Sequence, residues 1–326
     1  MKDATKITVA VLIAVVVIGS AAAIYHFNPI GKQKGTVITV STGYNSTIPL
    51  DRIVSLDPAA TATLYAIGAY SSLVGGNAYD SYPPNSTNNL PNVSDYPSMD
   101  LEAIYNLSPQ AVISFSNYSG GQISDLLNAG ISYIFLNSGS GSNFKQVEKQ
   151  NTLLGKITGR LNNASKLNTW MNESLSALNS SAASASSSGE MSGMYYMSSY
   201  GGFWTTGNNT FINQYFKYAH IRNIASPFQS GFYTISSGEI LNASPNILFL
   251  NNYVNDSSLS IPPFNDTPAV KDNRTFTIPS NSIFDEPNFR DIYAIQWLIY
   301  MAYNKTVQLP AFPIELQYPP DPIVIG

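Results

Sequence analysis

Beyond residue 35 the apolar positions fall into short unbroken runs, separated by stretches at helical spacing. The runs RIVSL (52–56), SLVG (72–75), AVISF (111–115) and SYIFL (132–136) have the length of strands covered on both faces, as in a parallel sheet. Between them lie an Ala-rich helix, Ala59–Ile67, stopped by Gly68, a short helix carrying Glu102, and a helix Gln122–Asn128 capped by Gly130. Thr36–Ser41 and Thr47–Leu50 flank Gly43-Tyr44-Asn45 and predict a hairpin. The alternation of strand and helix predicts an α/β lobe over 36–141.

From Ser142 or Asn143 to about Leu178, apolar residues such as Val147, Leu154, Leu161, Leu167 and Leu175 keep helical spacing. A stretch this long exceeds a usual globular helix. It predicts one spine helix over 142–188, ending in a Ser-rich loop at Ser180–Gly189. A second α/β lobe is expected over 189–304. Its elements are strand Met194–Met197, a Gly/aromatic loop Tyr200–Trp204, helix Asn209–Tyr218, a helix with Glu239, strands Ile247–Leu250 and Thr275–Ile278, and helix Asn288–Tyr303. The Pro-rich residues 305–326 read as an irregular tail or strap.

At the other end, Ile7–Tyr25 is apolar apart from Thr8 and Ser20, with Lys2 and Lys6 ahead of it. A helix of this length spans about 28 Å, close to the hydrocarbon thickness of a bilayer. Residues 1–25 are therefore a signal anchor, or a signal peptide cut near Ala21-Ala22-Ala23; the length favours the anchor. Residues 26–35 form a linker.

Composition narrows the function. Charged residues make up 11 % of the chain, against about 25 % in typical domains. A net charge of −4 without a basic run leaves no nucleic-acid footprint. The absence of cysteine excludes disulfides, thiolate metal sites and a lipobox-type lipid anchor. The two histidines, His26 and His220, cannot build a three-histidine metal site. No HExxH, GxSxG, P-loop or GxGxxG stands in the right context for an enzyme. Asn-x-Ser/Thr occurs fourteen times, roughly twice the chance expectation for an acceptor motif. That enrichment puts the body of the protein outside the cell as a glycoprotein. Low charge also suits an acidic exterior, and an acidophilic archaeon is the expected source.

One phrase occurs twice. Glu102-Ala-Ile-Tyr-Asn106-Leu-Ser108-Pro109 precedes one strand, and Glu239-Ile-Leu-Asn242-Ala-Ser244-Pro245 precedes another. The repetition predicts two lobes of similar build, each with one glutamate at the same place.

RIVSLDPAATATLYAIGA (52–69), YDSYPP (79–84) and MDLEAIYNLSPQAVISF (99–115) resemble the amino lobe of class III substrate-binding proteins, which serve ABC importers of iron–siderophores, haem and cobalamin. LLGKITGR (153–160) resembles the start of that family's spine helix, and FYTISSGEILNASPNILFL (232–250) its carboxy-lobe counterpart. The resemblance covers about residues 36–304. It implies two lobes with mostly parallel sheets flanked by helices, joined by a long spine helix. It also implies that Glu102 and Glu239 dock on arginines of an ABC permease dimer, which works with an ATPase. The sequence departs at Gln110 and Asn246, where the family carries Asp.

Ligands of such sheets bind beyond the carboxyl ends of the strands. In the first lobe that places Asp57, Tyr79, Tyr82, Asn117 and Tyr118 at the cleft. In the second it places Tyr200, Phe203, Trp204, Tyr253 and Phe284 there, with Arg290 positioned to meet a ligand carboxylate. The aromatics would wall a flat or bulky chelate. Without a His, Cys or carboxylate set for a bare metal ion, no resident metal or cofactor is expected.

The expected function is an extracellular solute receptor, monomeric and held at the membrane, that carries a small-molecule metal chelate (ferric siderophore, haem or cobalamin). A glycosylated surface binding or adhesion protein reusing the fold is the alternative. An α/β enzyme is the weaker one.

Overall fold

Five short apolar runs of the first lobe form one parallel sheet. They are β1 (Val37–Thr39), β2 (Ile53–Ser55), β3 (Leu73–Gly75), β6 (Ala111–Ser114) and β7 (Ser132–Phe135), in the order β1-β7-β6-β2-β3. A small antiparallel pair, β4 (Ser94–Asp95) and β5 (Ser98–Met99), stands apart from it. Helices α1 (Pro58–Ala66), α2 (Leu101–Asn106) and α3 (Gly120–Asn128) connect the strands. Both central strands, β2 and β6, are buried along their whole length, as solid apolar runs require.

This computed structural model describes residues 34–85, 90–95, 97–138, 143–254 and 256–319. The apolar segment 7–25, its linker up to residue 33 and the last residues of the tail lie outside them. Among the described residues no helix is long and apolar enough to cross a membrane.

The second lobe contains β8 (Met191–Ser198), β9 (Phe203–Thr206), β10 (Ile221–Asn223), β11 (Phe232–Ile235), β12 (Ile247–Leu250) and β13 (Thr275–Thr277). Their order is β11-β9-β8-β12-β13, with β10 also on β8. The β10, β8, β12 and β13 pairings are parallel, whereas β9 and β11 run antiparallel. Helices α6 (Phe211–Tyr218), α7 (Ser237–Ala243), α8 (Pro268–Lys271), α9 (Asn281–Phe284) and α10 (Asp291–Tyr303) complete it.

Several local expectations change. The hairpin over 36–50 is absent, because β1 pairs in parallel with the distant β7 and its own exit closes in a Thr39–Gly43 turn. The Gly/aromatic loop is a hairpin: Gly201 and Gly202, both at positive φ, turn the chain from β8 into β9. The Ser-rich segment is α-helical as far as Ala185 and continues as a 3-10 turn over Ser186–Ser188, with buried Leu178 and Ala182 holding the helix face down.

The long helical stretch is divided into α4 (Phe144–Ile157) and α5 (Leu161–Ala185). The break falls at Thr158-Gly159-Arg160, where Gly159 takes φ +68°. The two helices then cross closely enough that a Cβ at Gly155 would lie 2.5 Å from the Cβ of Ala164. Helix α4 packs on α1, while α5 packs on α6 and α10. One hydrophobic core consequently runs from Ile53 and Leu64 in the first lobe, through Leu154, Leu167 and Met171, to Phe249 and Ile295 in the second. Two smaller cores cover the opposite faces of the sheets.

The tail is a strap that returns from α10 to the first lobe. Val307 O accepts from Gln296, Pro310 O from the Trp170 indole, and Gln317 N donates to Ala66 O. Lys166 pairs with Glu315 at 2.8 Å, and Tyr318 packs edge-on against Tyr65 and Tyr70. The lobes are thus joined twice, by the helix pair and by the strap. Overpacking a close helix crossing costs about 1–3 kcal/mol, so Gly155→Ala is expected to lower the midpoint of urea unfolding with little change in slope. An unchanged midpoint would show that α4 and α5 separate freely.

Candidate functional site

The carboxyl ends of β2, β3, β6 and β7 open on a cavity of about 280 Å³ between the lobes. The first lobe supplies Leu56, Asp57, Asn77, Tyr79 and Ser94, then Phe115, Tyr118 and Ser138; the second closes it with Asp285, Glu286 and Pro287. A larger hollow of about 1120 Å³ lies outside the first lobe, between β1, β7, α4 and α5. That hollow takes in the carboxyl ends of β1 and β7 but no residue of the second lobe, whereas the smaller cavity joins four strand ends of the first lobe to the second. The inter-lobe cavity is the candidate site.

Asp57 is fixed by its place in the chain. It N-caps α1, its Oδ1 accepting from Ala59 N at 2.9 Å and Ala60 N at 3.2 Å, with Pro58 in the first turn. Its Oδ2 accepts from Ser138 at 2.6 Å, which ties the end of β2 to the end of β7. Asp80 is buried behind it and accepts from the backbone and side-chain nitrogens of Asn77. Across the cleft Asp285 accepts from Tyr195 at 3.0 Å and from Asn251 at 3.0 Å.

Arg290 lies beneath this rim, 3 % exposed. Its Nη2 donates to Glu286 at 3.1 Å and to Ser282 O at 3.0 Å, and its guanidinium lies 4.6 Å over the Tyr82 ring. It is engaged inside the protein and does not line the cavity, contrary to the expected contact with a ligand carboxylate.

Of the other expected site residues, Tyr79 and Tyr118 line the cavity. Tyr118 shares a hydrogen bond with Ser94 at 3.1 Å. Tyr82 is buried under the strap, its hydroxyl donating to Tyr318 O and Pro319 O. Phe284 is buried against Tyr195, Tyr215 and Trp297. Phe203 packs on Tyr196 and Phe264, because alternation along β9 turns it into the outer core. Trp204 is half-exposed, and its indole donates to Tyr200 O at 2.9 Å. Asn117 is exposed, as are Tyr200 (90 %) and Tyr253 (82 %), and none of these three lines the cavity. Ser94, Phe115, Ser138, Glu286 and Pro287 were not expected there. Ser138 follows a strand end like the others, so the strand-end rule reaches it once β7 is extended to its exit.

The glutamates stand at helix starts. Glu102 is exposed in the first turn of α2, whose cap is Asp100. Glu239 is the third residue of α7 and closes a capping box, accepting from Ser236 N and Oγ at 2.8 Å each. Those bonds hold its carboxyl below the usual range. The two copies are not in register. Ser108 and Ser244 take the same left-handed conformation at the helix ends, yet one residue fewer separates Glu239 from its Pro. The expectation of one common place is corrected to neighbouring positions on the helix.

Burial dominates the charge chemistry of the cleft. It pushes Asp80 and Asp285 up from 3.8 to about 6 and Glu286 from 4.5 to about 8, the last despite Arg290. Burial raises Asp57 and Asp291 too. With folded values above unfolded ones, the folded protein keeps protons that the unfolded chain has released. Stability is therefore fully present below about pH 4 and is lost as pH rises toward 8.

Residues 53–282 match the profile of the family described as "Periplasmic binding protein". An uncharacterized ABC transporter substrate-binding lipoprotein of Bacillus subtilis is 27 % identical over 226 residues, covering 67 % of this chain and 70 % of that protein. A cobalamin-binding protein of Halobacterium salinarum is 26 % identical over 218 residues, covering 65 % of this chain and 58 % of that one. The fold matches the apo periplasmic haem-binding protein of Roseiflexus sp. at a TM-score of 0.68 and 21 % identity, over 78 % of this chain and 98 % of that one.

Melting temperature is expected to fall between pH 4 and pH 8, the reverse of ordinary acid denaturation. For Asp80 alone the shift corresponds to about 3 kcal/mol. Asp80→Asn should flatten the slope between pH 4 and 6. A melting temperature that climbs over this range would refute the assignment.

Proposed function

This chain belongs to the periplasmic binding protein family, and we propose that it is the extracellular solute receptor of an ABC importer, taking a metal chelate into the inter-lobe cleft and handing it to a permease dimer served by an ATPase. The observation that carries this reading is the cavity itself, built from strand ends of the first lobe and the α9–α10 connection of the second. Leu56, Pro58, Ala59, Pro287 and the aromatic rings give it a mostly apolar lining with hydroxyl, amide and carboxyl groups set into it, which suits a solute whose metal already has its own ligands. A cavity of about 280 Å³ seats one face of such a chelate. Tyr79, 64 % exposed at the rim, is placed to stack on the remainder, and Tyr200 and Tyr253 rise from strand ends of the opposite lobe. The apolar segment 7–25 would hold the receptor, as a monomer, at the outer face of the membrane.

Glu102 and Glu239 are the proposed permease contacts. Each is a carboxylate at a helix start, suited to a bidentate bond with a permease arginine. The capping box leaves Glu239 one carboxylate oxygen free of Ser236, and it keeps the group ionised at lower pH than an uncapped glutamate. The double variant Glu102→Arg/Glu239→Arg is expected to lose uptake of the solute by cells while keeping the affinity of the purified receptor. Uptake at the parental rate would remove the docking assignment.

The shared core and the strap predict little closure on binding. Small-angle scattering profiles with and without solute should superimpose, and a marked compaction would contradict the double connection.

A further inference from the structure

The charge of the cleft has one sign only. Asp57 enters it from the first lobe, Asp285 and Glu286 from the second, and no Lys, Arg or His lines it among the described residues. Internal segments outside the described residues add none by sequence: 86–89 reads Ser-Thr-Asn-Asn, 96 Tyr, 139–142 Gly-Ser-Gly-Ser and 255 Asn. The cation closest in sequence to the rim is Arg290, and its Nε and Nη2 are committed to Asn288, Ser282 and Glu286.

We infer that this cleft takes a neutral or cationic chelate, bound through amide-like or hydroxamate oxygens, and turns away chelates that carry free carboxylates or phenolates. The inference rests on the cleft being the solute site. An anionic arm entering a cation-free cavity would lose its water and gain no partner, and that is the costly case for a buried charge. Above about pH 6, where Asp285 is ionised, it would also meet a like charge, which penalises a wrong partner further. Neutral oxygens carry no charge to leave unpaired, and the lining amide of Asn77, which gives one of its two N–H groups to Asp80, has a second N–H to offer them. Raised carboxyl values do not alter the sign. Below about pH 6 Asp285 and Glu286 are neutral, and above about pH 8 both are anions. In no state is the lining positive.

Binding of four probes to the full chain in detergent micelles tests this by equilibrium dialysis. Ferrioxamine B is cationic and cyanocobalamin neutral, whereas haem carries two propionates and ferric enterobactin is a trianion. At least one of the first pair is expected to bind ten or more times tighter than both of the second. Haem or ferric enterobactin binding tighter than both others would overturn the charge inference and leave the receptor reading standing. Binding of none would overturn the receptor reading, and this inference with it. Tyr79→Arg provides an internal control, because the side chain is exposed at the rim and its exchange spares the core. It should raise the ratio of haem affinity to ferrioxamine B affinity about tenfold, and an unchanged ratio counts against charge selection.

Discussion

The arrangement of this molecule depends on a hydrophobic core that does not stop at the lobe boundary. Residues of α4, α5 and α10 belong to the same packed cluster as Ile53 in one sheet and Phe249 in the other. Opening the lobes by a large hinge would expose part of that cluster to water, at about 25 cal/mol for each Å² of apolar surface. The strap adds a second restraint, since its hydrogen bonds to Trp170 and Ala66 draw the tail from the second lobe back to the first. The cleft therefore has a set width. Groups that would repel one another are held face to face because the packing around them does not give way.

That rigidity explains how so many acids persist in one place. Charged residues are only 11 % of the chain, yet Asp57, Asp80, Asp285, Glu286 and Asp291 gather at the lobe junction around a single buried guanidinium. Burial resolves most of the conflict by favouring protonated carboxyls, and Arg290 answers Glu286. Such an interior gains stability from acid. Asp57 is the exception in kind. It is also an N-cap, so its oxygens serve the backbone of α1 whatever the cleft contains.

What could be read from the sequence follows the range of the interactions involved. Solid apolar runs gave β2, β6, β7 and β12 nearly to the residue, because a strand buried on both faces must be apolar throughout. Caps and stops gave α1 and α3. The hairpin expected near Gly43 failed because β1 is held by a partner almost a hundred residues away, which local turn chemistry does not reveal. The Gly-Gly pair was read as a loop when it is the turn of a hairpin. Of the residues named by strand-end reasoning, Asp57, Tyr79 and Tyr118 line the cavity. The same reasoning misplaced Phe284, Tyr82 and Arg290, whose aromatic or charged character fits a ligand wall equally well. Their burial comes from α10 and the strap, and no pattern within either segment announces it.

The repeated glutamate phrase shows the same limit at finer scale. Both copies put a left-handed serine before proline, although Ser244 is itself the C-cap of α7 whereas Ser108 lies one residue beyond the C-cap of α2. They begin differently: α2 is capped by Asp100 and leaves Glu102 unconstrained by its cap, whereas α7 uses Glu239 itself to complete the cap. One residue of offset rotates a helical side chain by about 100°. A pair of permease arginines related by twofold symmetry would therefore meet two carboxylates that are not related by it. One is free to adjust its rotamer, and the other is held by Ser236. In the proposed docking the fixed carboxylate would set the orientation of the receptor, and Glu102 would accommodate the departure from symmetry.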